Sequence, residues 1–375
     1  MIASFFSLAG ALAADPAPDR VEHSEQVFQA VFSPDGKTLA TVSADHTAIL
    51  WDTKTGQPSA RLVGHRHQVQ AAAFRPDGRQ LATGGADGQA ILWDPASGRL
   101  IRALSLGDRD ASAEALAYSP DGKVLVTGGY RAAAQGWDPD TGRSLRIFAE
   151  ARSLRERLGG ETLKVGSAAF DRGGQHLLTA SSKGVTAWDA ATGRKLWGFA
   201  EPGDSPRIAR WEAKGTYAVA ALGEAAVVLD GTTGQAVRRL KTAGSQVNDA
   251  CFSPDGQSLT TAGDDGFVRL WDAKTGRLRH TLEGHENVVH MATFSPDGTL
   301  IATCANDGSA RLWNSSSGRP LFVLRGHEHH YVTWVTFSPD GRALATASAD
   351  ATARLWDTAS GQLIHTLGTP RAGHE

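Results

Sequence analysis

Apolar and β-branched residues in this chain alternate over short runs instead of recurring at helical spacing. LATVS (39–43) and TAILW (47–51) set the type: each is of strand length, and a polar turn at Asp45 separates them. Upstream lies SPDG (33–36), where the proline presets the first central turn position and the glycine takes the last, so the chain reverses between two strands. Downstream of the tryptophan, a D-x-x-T/S-G element such as Asp94 to Gly98 reverses the chain again into a further run. The pattern predicts four strands per unit.

The unit recurs along the chain. Its Trp-Asp pair returns at Trp51, Trp93, Trp137, Trp188, Trp271, Trp313 (followed by Asn314) and Trp356, and Leu229-Asp230 marks one more unit in the double gap between Trp188 and Trp271. The upstream turn agrees, with SPDG at Ser33, Ser119, Ser253, Ser295 and Ser338, RPDG at Arg75, and the altered forms DRGG at Asp171 and EAKG at Glu212. Eight units at a period of about 42 residues are the signature of propeller blades. One thin sheet cannot bury both of its faces, so the units must stack around an axis until a ring closes. The expected fold is therefore all-β: an eight-bladed β-propeller with four antiparallel strands per blade, over residues 21–368.

These repeats resemble the WD40 family. The resemblance implies a buried hydrogen-bonded set in each blade, made of a histidine in the connection leading in, a Thr in the second strand, an Asp in the next turn, and the tryptophan. The set is complete as His23, Thr41, Asp45, Trp51; as His65, Thr83, Asp87, Trp93; as His285, Thr303, Asp307, Trp313; and as His327, Thr346, Asp350, Trp356. These are the first two and last two blades, which flank the point where the chain ends meet. Blade 6 keeps Thr261, Asp265 and Trp271 without a histidine, blades 3 and 4 lack both His and Asp, and blade 5 lacks even the tryptophan. The last unit supplies its own outer strand at 363–367, which departs from the strand exchange of many relatives.

The resemblance further implies a non-catalytic scaffold that binds a protein or peptide partner on the rim formed by the blade connections and the turns between second and third strands. Mapped onto this chain, that rim holds Phe28, Gln68, Gln70, Glu114, Lys164, Arg207, Gln246, Asn248, His290, Tyr331 and Thr333, with the turn residues Tyr130, Asp264 and Asn306. A quinoprotein-like eight-bladed dehydrogenase is the alternative, because AWDAATGRKLW (187–197) matches the docking motif of that class once; a structural subunit of a surface assembly is another.

Composition narrows the partners. Lys plus Arg number 38 against 40 Asp plus Glu, so no basic field invites nucleic acid or an anionic membrane. Two cysteines, Cys251 and Cys304, cannot staple a fold of this size and read as small buried hydrophobes. No HExxH, GxSxG or GxxxxGK[ST] motif is present, and no enzyme activity or cofactor is expected. GHEHHY (326–331) groups three histidines, but His327 already has a structural role, leaving His329 and His330; no metal site is assigned. Residues 1–13 read as a signal peptide ending in a small-x-small pattern, too short to span a bilayer, which points to an exported protein with a cytoplasmic one as the alternative. Residues 14–20 read as a flexible lead-in and 369–375 as a tail. An insertion at about 148–166, FAEARSLRERLGGETLKVG, is read as a short helix on one face of the disc or as a drifted loop.

Overall fold

The structure, a computed structural model, describes residues 21–107, 110–148, 163–201, 203–327 and 330–371. The signal peptide, the lead-in, most of the insertion, His329 and the end of the tail lie outside these residues. Among the described residues there are thirty-two strands in eight sheets of four and no helix, and so no helix long and apolar enough to cross a membrane.

Blade 1 runs β1 (Val27–Phe32), β2 (Thr38–Ser43), β3 (Thr47–Asp52) and β4 (Pro58–Val63), each antiparallel to its neighbour in chain order. Blades 2 to 8 repeat this plan over residues 69–105, 115–148, 165–199, 208–241, 247–282, 289–324 and 332–367. The first strand of each blade packs against that of the next around the axis, and β1 meets β29 (Val332–Phe337) to close the ring.

The turns form for local reasons. In SPDG, Ser33 Oγ donates to Asp35 Oδ1 (2.6 Å) and accepts from Thr38 N (3.0 Å), while Gly36 takes a positive φ of 71°. The altered forms reach the same end, since Asp171 Oδ1 accepts from Gln175 N (2.8 Å) and Glu212 Oε2 from Thr216 N (3.3 Å). After each tryptophan position a carboxylate or amide oxygen caps the next turn, as Asp52 Oδ1 does for the Thr55 amide and hydroxyl (2.7 and 2.9 Å).

The core is radial, with one apolar cluster at each of the eight blade junctions. Each indole packs back onto the preceding blade, as Trp93 packs on Leu50 and Leu62. At the junction of blades 4 and 5, where Leu229 stands in place of tryptophan, Trp197 fills the cluster from the other side and meets Trp211 edge-on at 6.2 Å. This gives AWDAATGRKLW a packing role: Trp197 lies over Gly234 and donates to Gly231 O (2.8 Å).

The same outer docking contact recurs at every junction, with a side chain on one blade's outer strand covering the glycine of the next blade's D-x-x-T/S-G turn. Ala60 covers Gly98, His280 covers Gly318, and Phe322 covers Gly361. At the seam, His365 covers Gly56, and its Nε2 lies 3.0 Å from Lys54 O. Blade 8 keeps its own outer strand, β32 (Leu363–Leu367), so the ring closes by packing, this histidine contact, and a bond from Thr333 Oγ1 to Val27 O (2.9 Å).

Candidate functional site

One face of the disc is organised by the His-Asp sets. Trp51 Nε1–H can only donate, and it does so to Thr41 Oγ1 (2.8 Å). The threonine hydrogen is then free for His23 Nε2 (2.8 Å), which leaves Nδ1–H to donate to Asp45 Oδ2 (2.9 Å). Asp45 also accepts from Ser24 N (3.1 Å) and Thr47 N (2.9 Å), so it ties the connection leading into the blade to the turn between the second and third strands. The same chain of bonds runs through His65, Thr83, Asp87 and Trp93, through His285, Thr303, Asp307 and Trp313, and through His327, Thr346, Asp350 and Trp356.

Burial alone would raise the Asp45 and Asp307 carboxyls, but the histidine bonds, with hydroxyl and amide donors, hold both well below the usual carboxylate range. Asp87 and Asp350 are lowered against burial in the same way. Burial pushes the His327 imidazole down despite Asp350.

The incomplete blades keep what they can satisfy. Thr127, Thr179 and Thr261 accept from Trp137, Trp188 and Trp271 at 2.9, 2.9 and 3.0 Å. In blade 6, Arg269 Nη2 donates to Asp265 Oδ2 (2.6 Å) while its guanidinium stacks on Phe267. The same strand position holds Arg311 and Arg354 in blades 7 and 8, which keep their histidines, and Arg354 Nη2 lies 3.9 Å from Asp350 Oδ2, so the arginine is a partner of the turn aspartate alongside the histidine and not its replacement.

The mapped rim residues gather on this face by a device absent from the sequence reading. In six blades the first strand carries a β-bulge next to its opening valine, and the extra residues are Phe28, Gln70, Gly166, Asn248, His290 and Thr333. A bulge re-aims one side chain out of the alternating pattern. Blades 3 and 5 run without one, and there Glu114 and Arg207 stand just before the strand, held by Glu114 N to Gly128 O (2.9 Å) and Arg207 N to Ala221 O (3.1 Å).

The structure joins several of these groups. Lys164 Nζ pairs with Glu114 Oε2 (2.9 Å), and Tyr130 bridges to Lys164 through the backbone. Arg207 donates to Asn248 Oδ1 (2.6 Å), Asn248 Nδ2 donates to Asp264 Oδ1 (2.7 Å), and the Gln246 carbonyl accepts from Asp264 N (3.0 Å). His290 Nε2 lies 2.5 Å from Asn306 Oδ1. Gln68 stands exposed beside the turn, its carbonyl accepting from Ala86 N (2.8 Å). Tyr130 and Tyr331 are 41% and 44% exposed, the large aromatics that project from this face. Two bulged side chains also reach the next blade, Asn248 Nδ2 donating to Val289 O (3.0 Å) and the Thr333 hydroxyl lying against the Val27 and Phe28 carbonyls across the seam (2.9 and 3.2 Å).

Among the described residues no group of three or more His, Cys, Asp or Glu is arranged to hold a metal ion. The Cys304 thiol is fully buried, and burial raises it far above its ordinary value.

The family model described as "WD domain, G-beta repeat" matches residues 18–52, 56–94, 234–272, 276–314 and 318–357. The unmatched stretch covers the blades whose hydrogen-bonded sets are most reduced. WD repeat-containing protein 38 of Mus musculus is 58% identical over 33 residues, which are 9% of this chain and 11% of the mouse protein's length. The crystal structure of the computationally designed Ika8 protein superposes with a TM-score of 0.75 at 23% identity, covering 90% of this chain and 98% of that one, a likeness of fold alone.

Proposed function

The chain belongs to the WD40 family, whose propellers are typical protein-interaction scaffolds, and from that premise we propose that this protein holds a protein or peptide partner on the face that carries the bulged residues. The observation that supports this reading is the bulge itself. It turns Phe28, Gln70, Asn248 and His290 out of the blade alternation onto one rim, beside the exposed rings of Tyr130 and Tyr331. A few aromatic anchors among polar groups already oriented by hydrogen bonds form the composition of a recognition surface. The joined pairs Glu114–Lys164 and Arg207–Asn248–Asp264 add fixed donors and acceptors that need little reordering on binding.

The test is affinity capture compared across variants. Phe28, Tyr130 and Tyr331 changed together to alanine should abolish capture of the wild-type partner with the melting temperature unchanged. Lys37→Ala, on the opposite face with its side chain 83% exposed, should retain capture. Capture kept by the triple variant, or lost by Lys37→Ala, would move the binding surface elsewhere.

A further inference from the structure

The first strands of the blades surround the axis, and the two halves of the ring differ there. One position before the aromatic residue that closes the strand, blades 1 to 4 carry Val31, Ala73, Ala117 and Ala169. Blades 5 to 8 carry Arg210, Cys251, Thr293 and Thr336 at the same position. Four blades fold with plain aliphatic side chains, so the propeller itself does not require polar groups at this level. Against the polar half, on the face of the SPDG turns, lies a cavity of about 310 Å³ whose lining residues all come from blades 5 to 8. Its walls are the rings of Trp211, Phe252, Phe294 and Phe337, together with Thr293 and Thr336.

We infer that this cavity binds a small neutral aromatic molecule bearing a carbonyl-type hydrogen-bond acceptor, at a site separate from the partner-binding rim. Size, charge and hydrogen bonding set that chemistry. A volume of about 310 Å³ stands at the lower end of the ~300–1,000 Å³ of small-molecule sites and has room for about ten water-sized groups, which suits one substituted ring. The lining contains no Asp, Glu, Lys, Arg or His. The charge nearest in sequence, Arg210, is already taken up by Asp249 Oδ1 (2.9 Å) and Ala250 O (3.2 Å). An ion in this cavity would lose its hydration without meeting a counter-charge, so the occupant is neutral. The turn serines are engaged as well, Ser253 Oγ donating to Asp255 Oδ1 and Ser295 Oγ to Asp297 Oδ1 (2.5 Å each). The Thr293 and Thr336 hydroxyls, in contrast, have no hydrogen-bond partner among the described residues. The buried Trp211 Nε1–H, which can only donate, has no acceptor there either. An acceptor on the ligand answers these donors, and four aromatic walls favour a ring as its body.

Benzamide, titrated into the whole chain and followed by saturation-transfer NMR, is the probe. It should bind saturably, while benzoate and benzylammonium, of similar size but charged, should bind at least tenfold more weakly. Thr293→Val and Thr336→Val keep the side-chain shape and remove a hydroxyl. Each should weaken benzamide about threefold to tenfold with the melting temperature unchanged, whereas Thr293→Ser and Thr336→Ser should bind as wild type does. The Phe28, Tyr130, Tyr331 triple alanine variant should still bind benzamide, and the valine variants should still capture the protein partner, so the two sites fail separately. Absence of benzamide binding, equal affinity for the charged analogues, or valine variants that bind as tightly as wild type overturns the inference.

Discussion

Restoring the family residue in blade 5 should damage this protein. Leu229 lies where the other blades have tryptophan, pairs with Ala218 between β18 (Tyr217–Leu222) and β19 (Ala225–Asp230), and is fully buried. Ala220 pairs with Val227 as Thr41 pairs with Ile49, so it occupies the place of the hydroxyl that accepts the indole N–H elsewhere. Donor and acceptor are missing together, which leaves neither orphaned, and Trp197 takes up the space from blade 4. Leu229→Trp would crowd this cluster at about 1–3 kcal/mol and bury an N–H without an acceptor at about 1–3 kcal/mol, for a loss of roughly 2–6 kcal/mol. Ala220→Thr alone buries a hydroxyl whose only local recourse is the Val227 carbonyl, the kind of contact Thr179 makes to Thr186 O at 3.5 Å. With both changes the Trp–Thr bond can form, so the double variant should be about 1–2 kcal/mol more stable than the sum of the singles. Urea midpoints followed by far-UV circular dichroism complete the cycle. A midpoint raised by Leu229→Trp, or additivity within about 0.5 kcal/mol, would falsify the claim that the two positions were lost as a unit.

Two further outcomes rest on the seam and the buried sets. His365→Ala removes a contact that no covalent link reinforces, whereas His280→Ala removes its counterpart, His280 Nε2 to Ser316 O at 3.2 Å, between blades joined in sequence. Amide exchange in β1 and β29 should therefore accelerate in the first variant and stay unchanged in the second; equal effects would mean that the seam is no weaker than any other junction. Acid should destabilise the ring in two stages. His327 is lowered in the folded state, so its contribution is present above its unfolded pKa of about 6.5 and is lost as pH falls below it; Asp45, Asp87, Asp307 and Asp350 are lowered too, and theirs is lost below about 3.9. The melting temperature should be flat near pH 7 to 8, decline from about pH 6.5, and fall steeply below about pH 4; a rise on acidification would contradict the neutral His327.

The strand plan was legible because its signals are local: SPDG, the alternating run and D-x-x-T/S-G each dictate one reversal, and repetition does the rest. The residue that fills the space of the missing tryptophan was not legible, because it comes from outside the motif that lacks it. Trp197 supplies bulk at Leu229 from the preceding blade. The bulges left a trace that alternation alone obscures, a buried valine and a buried small residue three apart, as in Val27 and Ala30, Val69 and Ala72, or Val289 and Ala292. Read as a strict period of two, those strands would turn Phe28 or His290 into the blade; read with the extra residue, they turn the same side chain out onto the rim.

That single inserted residue also explains how one scaffold separates stability from recognition. The residues that close the core, from Trp51 to Leu355, belong to the regular alternation and sit at the blade junctions, where any change in volume is felt by two sheets. The bulged residue stands outside the regular alternation and differs around the ring, among Phe, Gln, Gly, Asn, His and Thr, and two of these side chains reach the next blade: Asn248 Nδ2 donates to Val289 O (3.0 Å) and Thr333 Oγ1 to Val27 O (2.9 Å). At the seam the bulged position is drawn into closure by its bonds to Val27 and Phe28, so Thr333→Val should weaken the ring, whereas Gln70→Ala, at the same position one junction past the seam, should leave stability unchanged.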